Sequence, residues 1–290
     1  MAESSFGVTP GSPDFKEFRH TSCTLAVQKD TFVSNEIRND RQIVDMRHGA
    51  KRAGGDLGFE LCYGAYDDWL EAALFGTWTT NVLKAGVTAR SFVVERAFAD
   101  VSEFQPFNGV MVNTMSLNIQ PNAMVTGTFG LIGTGTMAPA SSSVDATVTA
   151  AAANAPFDGF SGALTEGGSS VQVSALTLEL NNNLAPAYAI GSAVSPQMLA
   201  GRSILTGSVS AWFETETLLN KFLNETESAL SLTLNTPGTG KDIVIAIPRL
   251  KYTGAGLDTT NADDGILCVM PFQALRDSSA ATNIQITRTP

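Results

Sequence analysis

The chain is poor in the residues from which most catalytic and metal centres are built. Its 290 residues include two histidines (His20, His48) and three cysteines (Cys23, Cys62, Cys268). No H-E-x-x-H or C-x-x-C spacing occurs, so the sequence offers no zinc site and implies no cofactor. An odd number of well-separated cysteines fits a reducing compartment better than a disulfide framework. Basic side chains are also scarce: Lys+Arg is 18 against Asp+Glu 28, a formal charge of −10. That balance disfavours tight, non-specific binding of nucleic acid through phosphate neutralisation. Charged residues make up only 16% of the chain, and the mean hydropathy is +0.07, which argues against disorder throughout. No apolar run reaches the ~18 residues of a membrane span. The opening MAESSFGVTPGSPDFKEF lacks the basic-then-apolar order of a secretory signal.

Catalytic motifs are near misses. GFSGA (Gly159–Ala163) falls one position short of a nucleophile elbow. GTGKD (Gly238–Asp242) places an aspartate where a phosphate-binding loop needs a hydroxyl, and its flanks, LSLTLN and DIVIAI, predict a hairpin turn. GLIGTG (Gly130–Gly135) runs into a Ser/Ala-rich stretch rather than a helix, so it is no dinucleotide fingerprint. Asp67–Asp68 reads as a helix start, and Asp263–Asp264 as a solvated turn. The composition predicts a protein that is not an enzyme.

What the chain has in quantity is alternation. Period-2 patterns predict strands at Ser91–Arg96, Met115–Ile119, Val125–Phe129, Val171–Leu180, Leu230–Leu234, Ile243–Ile247 and Ile284–Thr287. Only Asp67–Phe75 and Glu216–Asn224 have helical spacing. Asp68 is the expected cap of the first, with Gly76 ending it, and Thr215 or Thr217 the cap of the second. Apolar residues fall at Trp69, Leu70, Ala73 and Leu74 in one helix and at Leu218, Leu219, Phe222 and Leu223 in the other. GDLGFEL (Gly55–Leu61) and GSVSAWF (Gly207–Phe213) precede them, and SFVVER and IVIAIPR (Ile243–Arg249) follow. This ordered series predicts an internal duplication: an N-terminal arm over 1–19, a first β module over 20–133, an Ala/Ser/Gly-rich linker or surface loop over 134–171, and a second β module over 172–290.

Charge is distributed unevenly. Residues 1–52 carry 8 basic and 7 acidic side chains, whereas residues 53–290 carry 10 and 21. The basic side chains concentrate in Ser34–Arg52, which holds Arg38, Arg41, Arg47, Lys51 and Arg52 against Glu36, Asp40 and Asp45. A basic segment on an acidic body is a candidate self-association arm.

Segments in order along nearly the whole chain resemble the tail tube proteins of long, non-contractile-tailed bacteriophages. They are EIRNDRQIVD (Glu36–Asp45), GDLGFELCYGAYDDWLEAALFGTW (Gly55–Trp78), RSFVVERAF (Arg90–Phe98), FNGVMVNTMSLNIQPNAMVTGTFGLIG (Phe107–Gly133), GRSILTGSVSAWFE (Gly201–Glu214), IPRLKY (Ile247–Tyr252), PFQAL (Pro271–Leu275) and ITR (Ile286–Arg288). The resemblance implies a mainly β fold, here two tandem β-sandwich or half-barrel modules, each with one short helix. It also implies self-assembly into stacked rings that form a hollow tube for genome delivery, with tape measure, terminator and distal tail proteins as neighbours in the virion. It assigns the long loop after an early strand, Phe32–Gly54, to contacts between subunits or rings. Arg38, Asp40, Arg41, Asp45, Arg47, Lys51 and Arg52 are the candidate contact residues. Passing duplex DNA should not stick, so acids lining the bore are expected, with Glu60, Glu95, Glu179 and Glu214 as candidates. If each module fills one ring position, three chains make a pseudo-sixfold ring, with a true hexamer as the alternative. The competing expectations are a capsid decoration or tail terminator protein and, with less support, a β-sandwich hydrolase acting on glycan.

Overall fold

The computed structural model describes residues 1–136, 138–236, 240–258 and 265–289. The expected hairpin turn at Gly238–Asp242 lies partly, and the Asp263–Asp264 pair wholly, outside the described residues. In chain order the elements are β1 (Ser22–Cys23), β2 (Ala26–Val33), β3 (Met46–Glu60), α1 (Asp67–Leu74), β4 (Val82–Lys84), β5 (Phe92–Phe98), β6 (Glu103–Ile119), β7 (Thr126–Gly133) and β8 (Gly135–Thr136). They continue with β9 (Ala163–Glu166), β10 (Ser169–Ser170), β11 (Val173–Asn181), β12 (Leu184–Ala187), β13 (Gln197–Ala200), β14 (Ile204–Trp212), α2 (Thr217–Leu223), β15 (Ser228–Asn235), β16 (Asp242–Tyr252), β17 (Gly256–Asp258), β18 (Leu267–Ala274) and β19 (Gln285–Thr289). The fold is mainly β, and both helices form where their spacing predicts them.

The same antiparallel pairing order occurs twice. In the first half β1 and β2 pair with β3, β3 with β7, β7 with β6, and β6 with β5. In the second half β11 pairs with β14, β14 with β18, β18 with β16 and β17, and β16 with β15. Even the irregularities correspond. The β5–β6 register shifts between Phe92 and Val94, and the β15–β16 register shifts between Ser228 and Leu230. This order revises one expected equivalence: β15, not the IVIAIPR strand, holds the place of SFVVER, and IVIAIPR lies on β16, the counterpart of β6. Alternation is common to all these strands, so the pattern alone could not tell them apart.

β6 and β16 are long because each changes pairing partners along its length. The first part of β6 pairs with β5 and β8, and the part after Gly109 (φ 62°) pairs with β7. Glycine occupies that left-handed position at no steric cost, and a β-carbon there would crowd Thr134 at 2.8 Å. β16 changes partner around Pro248, from β15 and β19 to β18. The second part of β6 also pairs with β11, from Ile119 opposite Leu176 to Thr114 opposite Asn181. The two halves are thus joined edge to edge in one continuous sheet.

The first half packs its core around aromatic rings. Phe59 stacks on Phe129 with centroids 4.5 Å apart, and Trp69 of α1 stacks on Phe92 at 5.0 Å. Phe18 of the N-terminal arm lies edge-on to Tyr66 and Trp69. α1 starts two residues earlier than an Asp68 cap would set it. Tyr66 is the N-cap without a side-chain cap bond, and Asp67 and Asp68 both sit in the first turn, where the helix dipole favours carboxylates. The helix ends on Phe75 in the left-handed region (φ 50°). Gly76 follows because a β-carbon there would overlap the Lys84 carbonyl oxygen. α2 buries none of its residues, and Leu223 is 64% exposed. Neither Thr215 nor Thr217 caps it; Glu216 is the N-cap, without a side-chain bond.

The 134–171 stretch is strapped down at several points. Buried Asp145 accepts the Phe15 and Thr147 amides at 2.7 and 2.8 Å, Phe157 is buried, and β9 at its end pairs with β15. The N-terminal arm lies on the body too: Glu3 accepts from the Gly7 and Gly109 amides and from the Ser91 hydroxyl. We expect Phe129→Ala to lower unfolding stability by about 3–5 kcal/mol, read from a urea titration. A conservative change at exposed Leu223 should stay within about 0.5 kcal/mol.

Candidate assembly surfaces

The segment expected to be a loop, 32–54, is strand at both ends, 32–33 and 46–54, with the connection 34–45 between them. β2 and β3 form a hairpin with Lys29 opposite Lys51, Thr31 opposite His48 and Phe32 opposite Arg47. Residues 46–54 (MRHGAKRAG) do not alternate, so only cross-strand pairing reveals them as β. Arg38, Asp40, Arg41 and Asp45 sit in the connection, Arg41 in a left-handed conformation (φ 59°). Arg47, Lys51 and Arg52 lie on β3. Arg38 pairs with Asp40 at 3.1 Å and Arg52 with Asp30 at 3.2 Å. At the base the Lys51 amide donates to the Ala193 carbonyl at 2.9 Å, so the β12–β13 segment braces the hairpin. Beyond that brace Phe32, Ile37, Ile43 and Met46 are 64%, 98%, 73% and 51% exposed. Such exposure of apolar side chains on one ribbon makes it a candidate interaction surface. The double change Ile37→Ser/Ile43→Ser should reduce self-association in light scattering and leave the urea midpoint unchanged.

The continuous sheet has a second surface of interest. Along β3, β7, β6, β11, β14 and β18 one face is core: Leu57 and Phe59, Phe129 and Leu131, Met115 and Leu117, Leu178 and Leu180, Val209 and Ala211, Met270 and Phe272 are all buried. The opposite face carries Asp56, Glu60 and Glu179 among hydroxyls and amides such as Thr114, Ser116, Thr128, Thr177, Ser208 and Gln273. Stretches 54–60, 114–118, 126–132, 177–181, 204–212 and 267–273 contain no lysine or arginine. Asp56 and Glu179 are exposed, and Glu60 is half-buried. Glu60 and Glu179, singled out from sequence, therefore share this face, and Asp56 joins them. Period-2 facing could have flagged Asp56, since it lies four residues before Glu60. The other two candidates are elsewhere. Glu95 on β5 accepts from the Ser143 hydroxyl and the Val144 amide at 2.5 and 2.9 Å. Glu214 lies beyond the end of β14, in the approach to α2.

One charged cluster left no signal in the sequence. Glu166 of β9 is 4% exposed. It accepts from Lys221 of α2 at 2.5 Å, from the Ser228 hydroxyl at 2.5 Å and from the Tyr252 hydroxyl at 3.0 Å. Burial, then the adjacent Glu166 charge, pushes the Tyr252 hydroxyl far above its usual range, so it stays a donor. The cluster ties the linker strand to α2, β15 and β16. Removing the carboxylate strands the lysine, and we expect Glu166→Ala to cost about 3–5 kcal/mol, with the Lys221→Met/Glu166→Leu pair recovering most of it in the same urea assay.

A groove of about 1330 Å³ runs between the N-terminal arm, α1 and β5. Of the carboxylates that line it, Glu3, Asp68, Glu71 and Glu95 are engaged, Asp68 holding Lys16 at 3.0 Å and Glu71 holding Arg90 at 3.2 Å; Asp14, Glu17 and Glu60 line it as well. Burial raises the Cys62 and Cys268 thiols above their usual pKa, which makes them poor nucleophiles and ligands. Among the described residues no three His, Cys, Asp or Glu side chains cluster to hold a metal, and no helix is long and apolar enough to cross a membrane.

Comparison with curated proteins returns no match. The family model described as phage tail tube protein matches residues 1–274. That match spans both halves of the continuous sheet, the hairpin and both helices, and it ends with the last residue of β18. The chain belongs to the phage tail tube protein family, a structural family of the virion tail.

Proposed function

We propose that this chain assembles with copies of itself into stacked rings that form the hollow tail tube, and that double-stranded DNA passes through the bore into the host. The observation that carries the reading is the polar face of the continuous sheet. It has three carboxylates, many hydroxyls and no cation in the stretches named above. A conduit must not retain its cargo, and carboxylates repel phosphate over roughly a Debye length, ~8 Å at physiological salt. On this reading Asp56, Glu60 and Glu179 face the bore and the aromatic core lies behind them.

The doubled pairing order supports two tube-type modules in one chain. Each would fill one position of a pseudo-sixfold ring, so three chains complete a ring. The β2–β3 hairpin, with Arg38, Asp40, Arg41, Asp45, Arg47, Lys51 and Arg52, makes contacts to the neighbouring subunit or ring. Its basic side chains meet an acidic body there. Tape measure, terminator and distal tail proteins are the expected partners at the ends of the tube, and synthesis takes place in the host cytoplasm.

Native mass spectrometry of the assembled protein should give three chains per ring; six would replace the trimer by a hexamer of whole chains. The bore assignment is tested separately. Asp56→Lys/Glu179→Lys should still form tubes in negative-stain images, yet those tubes should retain duplex DNA at low salt, where wild-type tubes do not. Unchanged DNA retention would remove these residues from the bore.

A further inference from the structure

The ring reading leaves open how one copy joins the next, and the chain's own middle supplies a pattern. β6 and β11, the last strand of the first sheet half and the first strand of the second, are hydrogen-bonded neighbours, with Leu117 opposite Leu178, Ser116 opposite Glu179 and Met115 opposite Leu180. Each has a counterpart with the same inner neighbour but no outer one among the described residues. β1 and β2 pair only with β3, and β17 pairs only with β18.

The counterparts can be matched residue by residue. Cys23 is opposite Leu57, as Leu176 is opposite Val209, and Leu57 and Val209 are equivalent in the aligned segments GDLGFEL and GSVSAWF. Gly127 is opposite Leu117 and Phe59, as Cys268 is opposite Leu257 and Ala211. Leu25 therefore stands where Leu178 stands, and Leu257 where Leu117 stands. The β6–β7 register shifts after Val112. The strand from β16 to β17 is likewise interrupted after Tyr252, where Thr253 donates to Pro271.

Resting on the ring reading, we propose that the seam between copies repeats the internal β6–β11 junction: β17 of one copy pairs antiparallel with β1–β2 of the next, with Leu257 opposite Leu25 and Gly256 opposite Ala26. Two facts favour a second copy of this chain as the occupant. The pairing already exists once within the chain, in a register that both outer edges can reproduce once the Arg96 guanidinium, which donates to the Leu25 carbonyl at 2.7 Å in the single chain, gives way. The edges also lie at opposite ends of the continuous sheet, so each new copy leaves the same two ends until the ring closes. Closure removes both exposed edges, which otherwise invite uncontrolled strand addition. Leu257 is 46% exposed in the single chain, whereas Leu25 is already buried in the core, so the seam would newly cover the β17 side.

The test is disulfide trapping in the full chain. Gly256→Cys is sterically open, since a β-carbon there meets nothing nearer than the Val269 carbonyl oxygen at 3.9 Å, and Ala26 is exposed. Assembled Ala26→Cys/Gly256→Cys protein, mildly oxidised, should give covalent dimers and closed trimers on non-reducing gels. Peptide mapping should find the two introduced thiols joined to each other, and reductant should reverse the bands. The single variants should give no such ladder, which excludes the native thiols. The offset pair Lys29→Cys/Gly256→Cys, three residues away and on the other face, should not cross-link. Circular dichroism and ring images of each variant before oxidation establish that it folds and assembles. If well-formed rings of the Ala26→Cys/Gly256→Cys protein fail to cross-link, or the offset pair reacts as well, the seam is wrong and the tube reading stands. If the wild-type protein forms neither rings nor tubes, both fall.

Discussion

The structure depends on the antiparallel pairing of β6 with β11. Each half alone has a sheet with one face on an aromatic or aliphatic core and one face polar, but each would also present a long open edge. By pairing those two edges the chain turns two half-sheets into one surface, with its apolar side continuous from Leu57 to Phe272 and its polar side continuous from Asp56 to Gln273. The side-chain period of two makes this strict. A slip of one residue at the seam would turn Leu176, Leu178 and Leu180 to water and bring Glu179 into the core. Register at the seam is therefore fixed by burial, with the backbone bonds following.

The two halves are similar in topology and different in finish. In the first, the N-terminal arm lays Phe18 over α1, and Trp69, Phe92 and Phe129 fill the layer between helix and sheet. In the second, α2 keeps its apolar face half open, and the linker strand β9 is anchored by Glu166, Lys221, Ser228 and Tyr252. The long hairpin follows the first strand of one half; the corresponding position in the other is filled by the short β12–β13 ribbon, which braces the base of that hairpin. On the proposed two-module reading such divergence has a use: one polypeptide can specialise one module for reaching outward and the other for holding that reach in place.

The charge pattern connects fold to proposed role. The acidity of the whole chain says only that phosphate is an unfavourable partner. The continuous sheet sharpens this, because the stretches 54–60, 114–118, 126–132, 177–181, 204–212 and 267–273 are free of lysine and arginine, with Lys251 of β16 opposite Gln273 at one end, while five cations lie close together at 38–52. On the proposed reading attraction between copies and repulsion of DNA belong to different surfaces, and neither weakens the other beyond a Debye length.

Much of this was legible in the amino-acid order. Alternation located the strands and the 3.6-residue spacing located both helices, because these signals are local and follow from backbone geometry; GDLGFEL and GSVSAWF fall on β3 and β14, which hold corresponding places in the pairing order. Only the tertiary structure decided the rest. Strand pairing turned 46–54 from loop to β3, since a ribbon of mixed charge has no period to read. It also matched β15 rather than β16 to β5, joined β6 to β11, and separated Glu60 and Glu179 from Glu95 and Glu214. Each of these depends on which distant backbone lies alongside, and a one-dimensional pattern of apolar and polar residues is the same whichever neighbour is chosen.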